Sequence, residues 1–282
     1  MSVMSQPPGG APVIKNPYRP GVGLQPIHLA GRDHQLRKFQ ATLASAPEIP
    51  ANLRLTTGPR GVGKTVLLRR FADVATEGGL ATALLEPEPR HNSDTALTTL
   101  LGSHLERLTS TMSTARRVRE AVGGIVEAAR RSVSVSFEGF AWSLGGDLAT
   151  RTTAVAELLA ATATAANKAG RHGVVLLFDD AQILCDDTTR EGDHSLSMLL
   201  AAVSLLQRHG VPVALVLCGL PTLTLNLPEA RTYSERMFRG DEVGSLPAPE
   251  ARKAFLIPLE GTGRTASPDL VDRVLATVEG FP

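Results

Sequence analysis

Several functional classes are excluded by what this 282-residue chain lacks. It has two cysteines, Cys185 and Cys218, without metal-ligand spacing and too few for a disulfide framework. Both lie in or beside apolar runs, so two free, inert thiols in a reducing cytoplasm are expected. Charge excess is also missing: a net charge of +1 carries no overall electrostatic footprint of nucleic-acid binding, although a local patch remains open. The first 25 residues contain no apolar core of a signal peptide, and no uninterrupted apolar run reaches the length of a membrane span. Lysine is scarce, occurring only at positions 15, 38, 64, 168 and 253. One of these few lysines stands in the most informative stretch of the chain.

That stretch is Gly58-Pro59-Arg60-Gly61-Val62-Gly63-Lys64-Thr65, a complete G-x-x-x-x-G-K-[ST] phosphate-binding loop. A short β-prone run, residues 52–57, precedes it, and residues 66–75 are apolar at helical spacing. This is the strand, loop, helix order that the motif requires. Its glycines let backbone N–H groups close around phosphate oxygens, where the next helix also directs its positive end. Lys64 is expected on the β- and γ-phosphates and Thr65 on Mg²⁺, with Val66 completing the nucleotide-contacting set.

Around this unit the chain reads as strands alternating with helices. Residues 1–26 are rich in Pro and Gly and are expected to be disordered or draped over the core. A helix should follow Asp33, a second strand covers 79–86, and Asn92-Ser93-Asp94 can cap a helix over 95–108. Residues 113–131 carry Arg116, Arg117, Arg119, Arg130 and Arg131 on an expected helix, the first place to look for a nucleic-acid contact. Period-two alternation then predicts a β-hairpin at about 132–145, either an edge flap or a partner-binding element. Further along come a helix over 154–169, a buried strand over 174–178, a helix over 196–207 and a strand over 211–217. These imply a doubly wound α/β parallel sheet over residues 27–244. Two helices without an intervening strand, 249–259 and one capped by Ser267-Pro268, read as the start of a small helical subdomain over 245–282.

A phosphate loop needs a carboxylate at the end of a neighbouring strand to hold the water shell of Mg²⁺. Val174 to Phe178 ends in Asp179-Asp180. Asp179 is the expected metal residue, and Asp180 stands where an acid would orient or deprotonate the attacking water. A glutamate is more usual at that second position. The shorter aspartate predicts slow hydrolysis, because displacements of about 1 Å can cost on the order of a hundredfold. The guanine signature Asn-Lys-x-Asp is incomplete at Asn167-Lys168 and precedes the acidic strand, which argues against a GTPase. A small-molecule kinase would need an acceptor pocket, and none is identifiable.

These motifs together resemble the AAA+ ATPases of the origin-recognition and initiator-like branch, related to the STAND signalling ATPases. The likeness spans roughly residues 27–282. It is carried by Gly31-Arg32-Asp33, by the phosphate loop, by Phe178-Asp179-Asp180-Ala181-Gln182, by Leu217-Cys218-Gly219-Leu220-Pro221 and by residues 230–238. It implies that the Arg32 region packs near the adenine of ATP. It also implies that an arginine (Arg236, with Arg231 and Arg239 as other candidates) reaches the γ-phosphate of a neighbouring subunit. Where relatives often place Asn or Thr, at the end of the sensor strand, this chain has Cys218 and Gly219, with Thr222 as a substitute. The winged-helix domain and sensor-2 arginine implied by the resemblance are not reached before Pro282, so a truncated product is expected. Motifs and resemblance together point to Mg²⁺-dependent ATP binding and hydrolysis, with an unidentified protein partner and room for a homo-oligomer; DNA enters only by analogy, and the cytoplasm is expected from the thiols. The alternative is a nucleotide-dependent switch with very slow turnover.

Overall fold

The computed structural model describes residues 16–45 (without 20 and 22), 51–57, 61–112, 147–187, 189 and 193–282. The arginine-rich stretch and the hairpin predicted at 132–145 lie outside these residues. The described chain divides into two compact units, Arg32–Ser245 and a unit that joins residues up to Gly31 with Leu246–Pro282.

The larger unit holds five parallel strands: β1 (Leu53–Thr57), β2 (Ala81–Leu85), β3 (Val174–Phe178), β4 (Val213–Gly219) and β5 (Arg239–Val243). Their order across the sheet is β2-β3-β4-β1-β5. With them are helices α1 (Asp33–Ala44), α2 (Lys64–Glu77), α3 (Asp94–Thr111), α4 (Asp147–Lys168), α5 (Ser195–Arg208), α6 (Thr222–Ala230), the single turn α7 (Ser234–Met237) and two 3₁₀ turns, Pro89–His91 and Ala181–Ile183. Every residue of β3 and β4 is buried. That is why both read as unbroken apolar runs: a central parallel strand is covered on both faces. The period of two sorts their side chains. Val174, Leu176, Phe178, Val213, Leu215 and Leu217 join the core on the side of α3, α4 and α5. Val175, Leu177, Ala214, Val216 and Cys218 join the opposite core, where Phe39 of α1 stacks on Phe71 of α2 with centroids 4.2 Å apart.

Local signals set several boundaries. Ser93 caps α3 by accepting the N–H of Ala96 at 3.3 Å. The strand predicted over 211–217 begins two residues later and runs to Gly219. Neither β5 nor α6 was expected from the sequence. β5 has the sequence Arg-Gly-Asp-Glu-Val with only Val243 buried, so an edge strand without apolar alternation left no periodic signal. One topological expectation is corrected. The acid-bearing strand does not neighbour the phosphate-loop strand, because β4 is hydrogen-bonded between them.

Among the described residues the smaller unit contains no strand. It has α8 (Ala248–Leu256), a 3₁₀ turn (Ile257–Leu259) and α9 (Pro268–Val278), so the helix predicted over 249–259 ends three residues early. Ser267 caps α9 through the N–H of Leu270. Tyr18, within the stretch expected to be disordered or draped, stacks on Phe255 and donates its hydroxyl to the Phe255 carbonyl at 2.8 Å. Among the described residues no helix is long and apolar enough to cross a membrane.

One buried polar group joins three elements of the larger unit. The fully buried Asn52 accepts the N–H of Leu215 at 3.0 Å and exchanges two amide hydrogen bonds with Gln207 of α5, at 2.8 and 2.9 Å. Asn52→Ala leaves the Leu215 N–H without its acceptor inside the protein. It should lower stability by about 2 kcal/mol, read as a reduced urea midpoint at constant m-value.

Candidate active site

The carboxyl ends of β1, β3 and β4 bring together the residues that the sequence placed far apart. Gly61 and Gly63 of the phosphate loop are described; Gly58, Pro59 and Arg60 lie outside the described residues. Gly63 stands immediately before α2 with φ of 91°, a left-handed conformation that disfavours any side chain. A Cβ there would project into open space, with nothing within 4 Å. No described side chain caps α2. A helix N-terminus preceded by glycines suits a phosphate.

Lys64 and Thr65 begin α2, and both side chains reach the end of β3. The Lys64 ammonium donates to Asp180 Oδ1 at 3.0 Å. The Thr65 hydroxyl donates to Asp179 Oδ2 at 2.5 Å. Asp179 is 4% exposed, and its other oxygen accepts the N–H of Asp180 at 3.0 Å. Asp180 sits at φ of 47°, one of two non-glycine residues with positive φ among those described. Such a conformation costs on the order of 1 kcal/mol or more and is kept where the surroundings over-determine it. Here it turns the carboxylate back from the strand towards Lys64.

The oxygen donors Thr65 and Asp179 fit a hard cation such as Mg²⁺. Among the described residues no group of three or more His, Cys, Asp or Glu forms a metal site alone. Two oxygen donors leave the rest of such an ion's shell to phosphate and water, the usual arrangement for Mg²⁺.

Arg32 is 5% exposed, and its Nη2 donates to the carbonyls of Val62 at 3.0 Å and Gly244 at 2.7 Å. Burial pulls its pKa down from the usual arginine value. The guanidinium thus ties the phosphate loop to the residue just past β5, through backbone that any sequence would offer. Arg236 is exposed on α7 and makes no hydrogen bond with Lys64, Asp179 or Asp180. Arg239 pairs with Leu53 at the start of β1, about 13 Å along the strand from the loop. Arg239 thus stands at the end of β1 away from the loop. Arg231 donates from Nε to the Ser197 carbonyl at 3.4 Å.

At the end of β4, Cys218 is buried in the apolar core. Burial first, then the charge of Asp179, pushes its thiol far above the usual range, so it stays protonated. Thr222 is exposed at the start of α6. The polar side chain that does lie between β4 and the acids is Gln182. Its Nε2 donates to Asp180 Oδ1 at 3.2 Å and its Oε1 accepts the N–H of Leu220 at 3.0 Å. Sequence reasoning passed over this role: a lone glutamine two residues after an acid has no spacing signal, and its partner is 38 residues away.

The model of the AAA ATPase domain family matches residues 28–216. No curated protein matches the chain. Among solved structures, the Aeropyrum pernix ORC2 protein in its ADPNP–ADP complexes has a TM-score of 0.51 at 15% identity, over 85% of this chain and 55% of that one. The Cdc6p of Pyrobaculum aerophilum has a TM-score of 0.49 at 16% identity, over 90% of this chain and 56% of that one. The HORMA:CdnC:Trip13 complex of E. coli MS115-1 has 0.47 at 14% identity, over 88% and 73%. At such identities the ORC2 likeness is one of fold, and this chain spans little more than half of that protein. With two thirds of its length matched by the family model, phosphate loop and acidic strand included, the chain belongs to the AAA ATPase domain family.

Proposed function

We propose that this site binds ATP with Mg²⁺ and hydrolyses it slowly, coupling the nucleotide state to a change of conformation or to remodelling of a partner. The observation that carries this reading is the convergence of Lys64, Thr65, Asp179 and Asp180 in two hydrogen-bonded pairs directly after Gly63 of the phosphate loop. Mg²⁺, when bound, would neutralise charge on the phosphates. The chain's own part is positioning. The loop backbone and Lys64 hold the β- and γ-phosphates, while Thr65 and Asp179 present oxygens to the ion. Asp180 accepts a hydrogen bond from the attacking water. The water oxygen forms a bond to γ-phosphorus as the bond to the β–γ bridging oxygen breaks. ADP leaves with that electron pair, and the water's proton passes to solvent with the released phosphate.

Lys64 must exchange Asp180 for phosphate when ATP arrives. This exchange supports the second reading, a nucleotide-dependent switch, because one ion pair reports whether the cradle is filled. The short Asp180 side chain favours slow turnover in both readings. Exposed Arg236 suits a γ-phosphate contact across a subunit boundary, which requires a homo-oligomer. Arg32 acts at the nucleotide site by shaping the loop. Two unpaired cysteines suit the cytoplasm as the compartment.

Lys64→Ala should weaken ATP binding by about 2 kcal/mol or more, roughly thirtyfold, as measured by titration with a fluorescent ATP analogue. Asp180→Asn should leave affinity within a few-fold while lowering single-turnover hydrolysis about a hundredfold. Wild-type protein that binds ATP tightly and shows no turnover at high concentration would leave the switch and dismiss the hydrolase.

A further inference from the structure

The Asp180 carboxylate has two described side-chain donors on a single oxygen, Lys64 and Gln182. They differ in what nucleotide does to them. Lys64 is drawn away to the β- and γ-phosphates, whereas Gln182 is anchored from behind and stays. Its Oε1 accepts the N–H of Leu220, just past β4. That bond settles which end of the amide faces Asp180, since only the nitrogen can donate to a carboxylate. Asn226 of α6 donates to the Gln182 carbonyl at 3.1 Å and to that of Leu184 at 3.3 Å, so the 3₁₀ turn bearing the glutamine is pinned as well. Gly219, the last residue of β4, is fitted to this arrangement. A Cβ there would lie 2.6 Å from Gln182 Oε1 and 3.0 Å from the Gln182 backbone nitrogen. The end of β4 therefore has no side chain, and the space is filled by an amide that arrives from the β3 side.

We propose that Gln182 is a positioning residue that holds Asp180 in line for the attacking water once Lys64 has turned to the phosphates, supplying from the β3 side the polar group that the end of β4 lacks. This assignment rests on the nucleotide-site reading above. It explains three features together: a glycine at the end of β4, a left-handed aspartate before the 3₁₀ turn, and an amide bonded to both ends of the gap. Gln182 acts through Asp180 and need not touch ATP.

Gln182→Glu is the discriminating variant. It keeps the size of the side chain and an acceptor for the Leu220 N–H, but replaces the donor towards Asp180 with a like charge. Single-turnover hydrolysis should fall at least tenfold, with affinity for the fluorescent ATP analogue within twofold of wild type and the melting temperature essentially retained. Gln182→Ala should show the same split between rate and affinity. Gly219→Ala should mimic it by displacing the amide. Gln182→Glu hydrolysing within twofold of wild type would overturn the assignment and leave the nucleotide site standing. So would a rate loss that merely tracks lost affinity or stability. Wild-type protein that binds ATP without hydrolysing it would dismiss the positioning role, and wild-type protein that binds no ATP would dismiss the site reading with it.

Discussion

β4 lies between β1 and β3, and adjacent strands in a sheet are about 4.8 Å apart. The phosphate loop and the acids therefore start from strand ends about 10 Å apart. Main-chain pairing cannot close that gap, so side chains must. Thr65 and Lys64, carried over the end of β4 by the start of α2, reach Asp179 and Asp180. Whatever lies on the end of β4 must be small or must take part in the site. Gly219 is small, and the Gln182 amide takes part. The topology of the sheet thus sets the chemistry of its carboxyl edge.

The same arrangement keeps the site polar on an apolar foundation. β3 and β4 are covered on both faces, so the only place their backbones and acids can meet water is at the ends of the strands. Buried carboxylates demand hydrogen bonds. Asp179 has a hydroxyl on one oxygen and a backbone N–H on the other. Asp180 is the more exposed of the two, and its partners include a lysine that nucleotide would draw away. Asp179 is thus held on both oxygens, while Asp180, paired with Lys64, is the more open of the two.

Much of this could be read from the chain alone, for identifiable reasons. β3 was legible to the residue because five apolar side chains end abruptly in two aspartates. The caps of α3 and α9 were legible because Ser93 and Ser267 precede helical patterns and make the expected bonds. β5 and α6 were not. The first is a polar edge strand recruited by pairing with β1. The second has only Leu223 and Leu227 buried and contains Pro228. Gln182 was visible as part of a motif but not as a bridge, since its partner belongs to another strand.

The sequence by itself determined that a phosphate loop and an acidic strand are both present, because each is a local pattern whose chemistry follows from residue type and spacing. It also determined the alternating α/β class, through apolar runs of strand length between helical periods. Only the tertiary structure decided that β4 separates the two halves of the site, that Arg32 is spent on the carbonyls of Val62 and Gly244, and that Gln182 fills the place left by Gly219. Strand order and long-range hydrogen bonds are settled by packing between distant segments, and a local pattern holds no record of which distant segment it will meet.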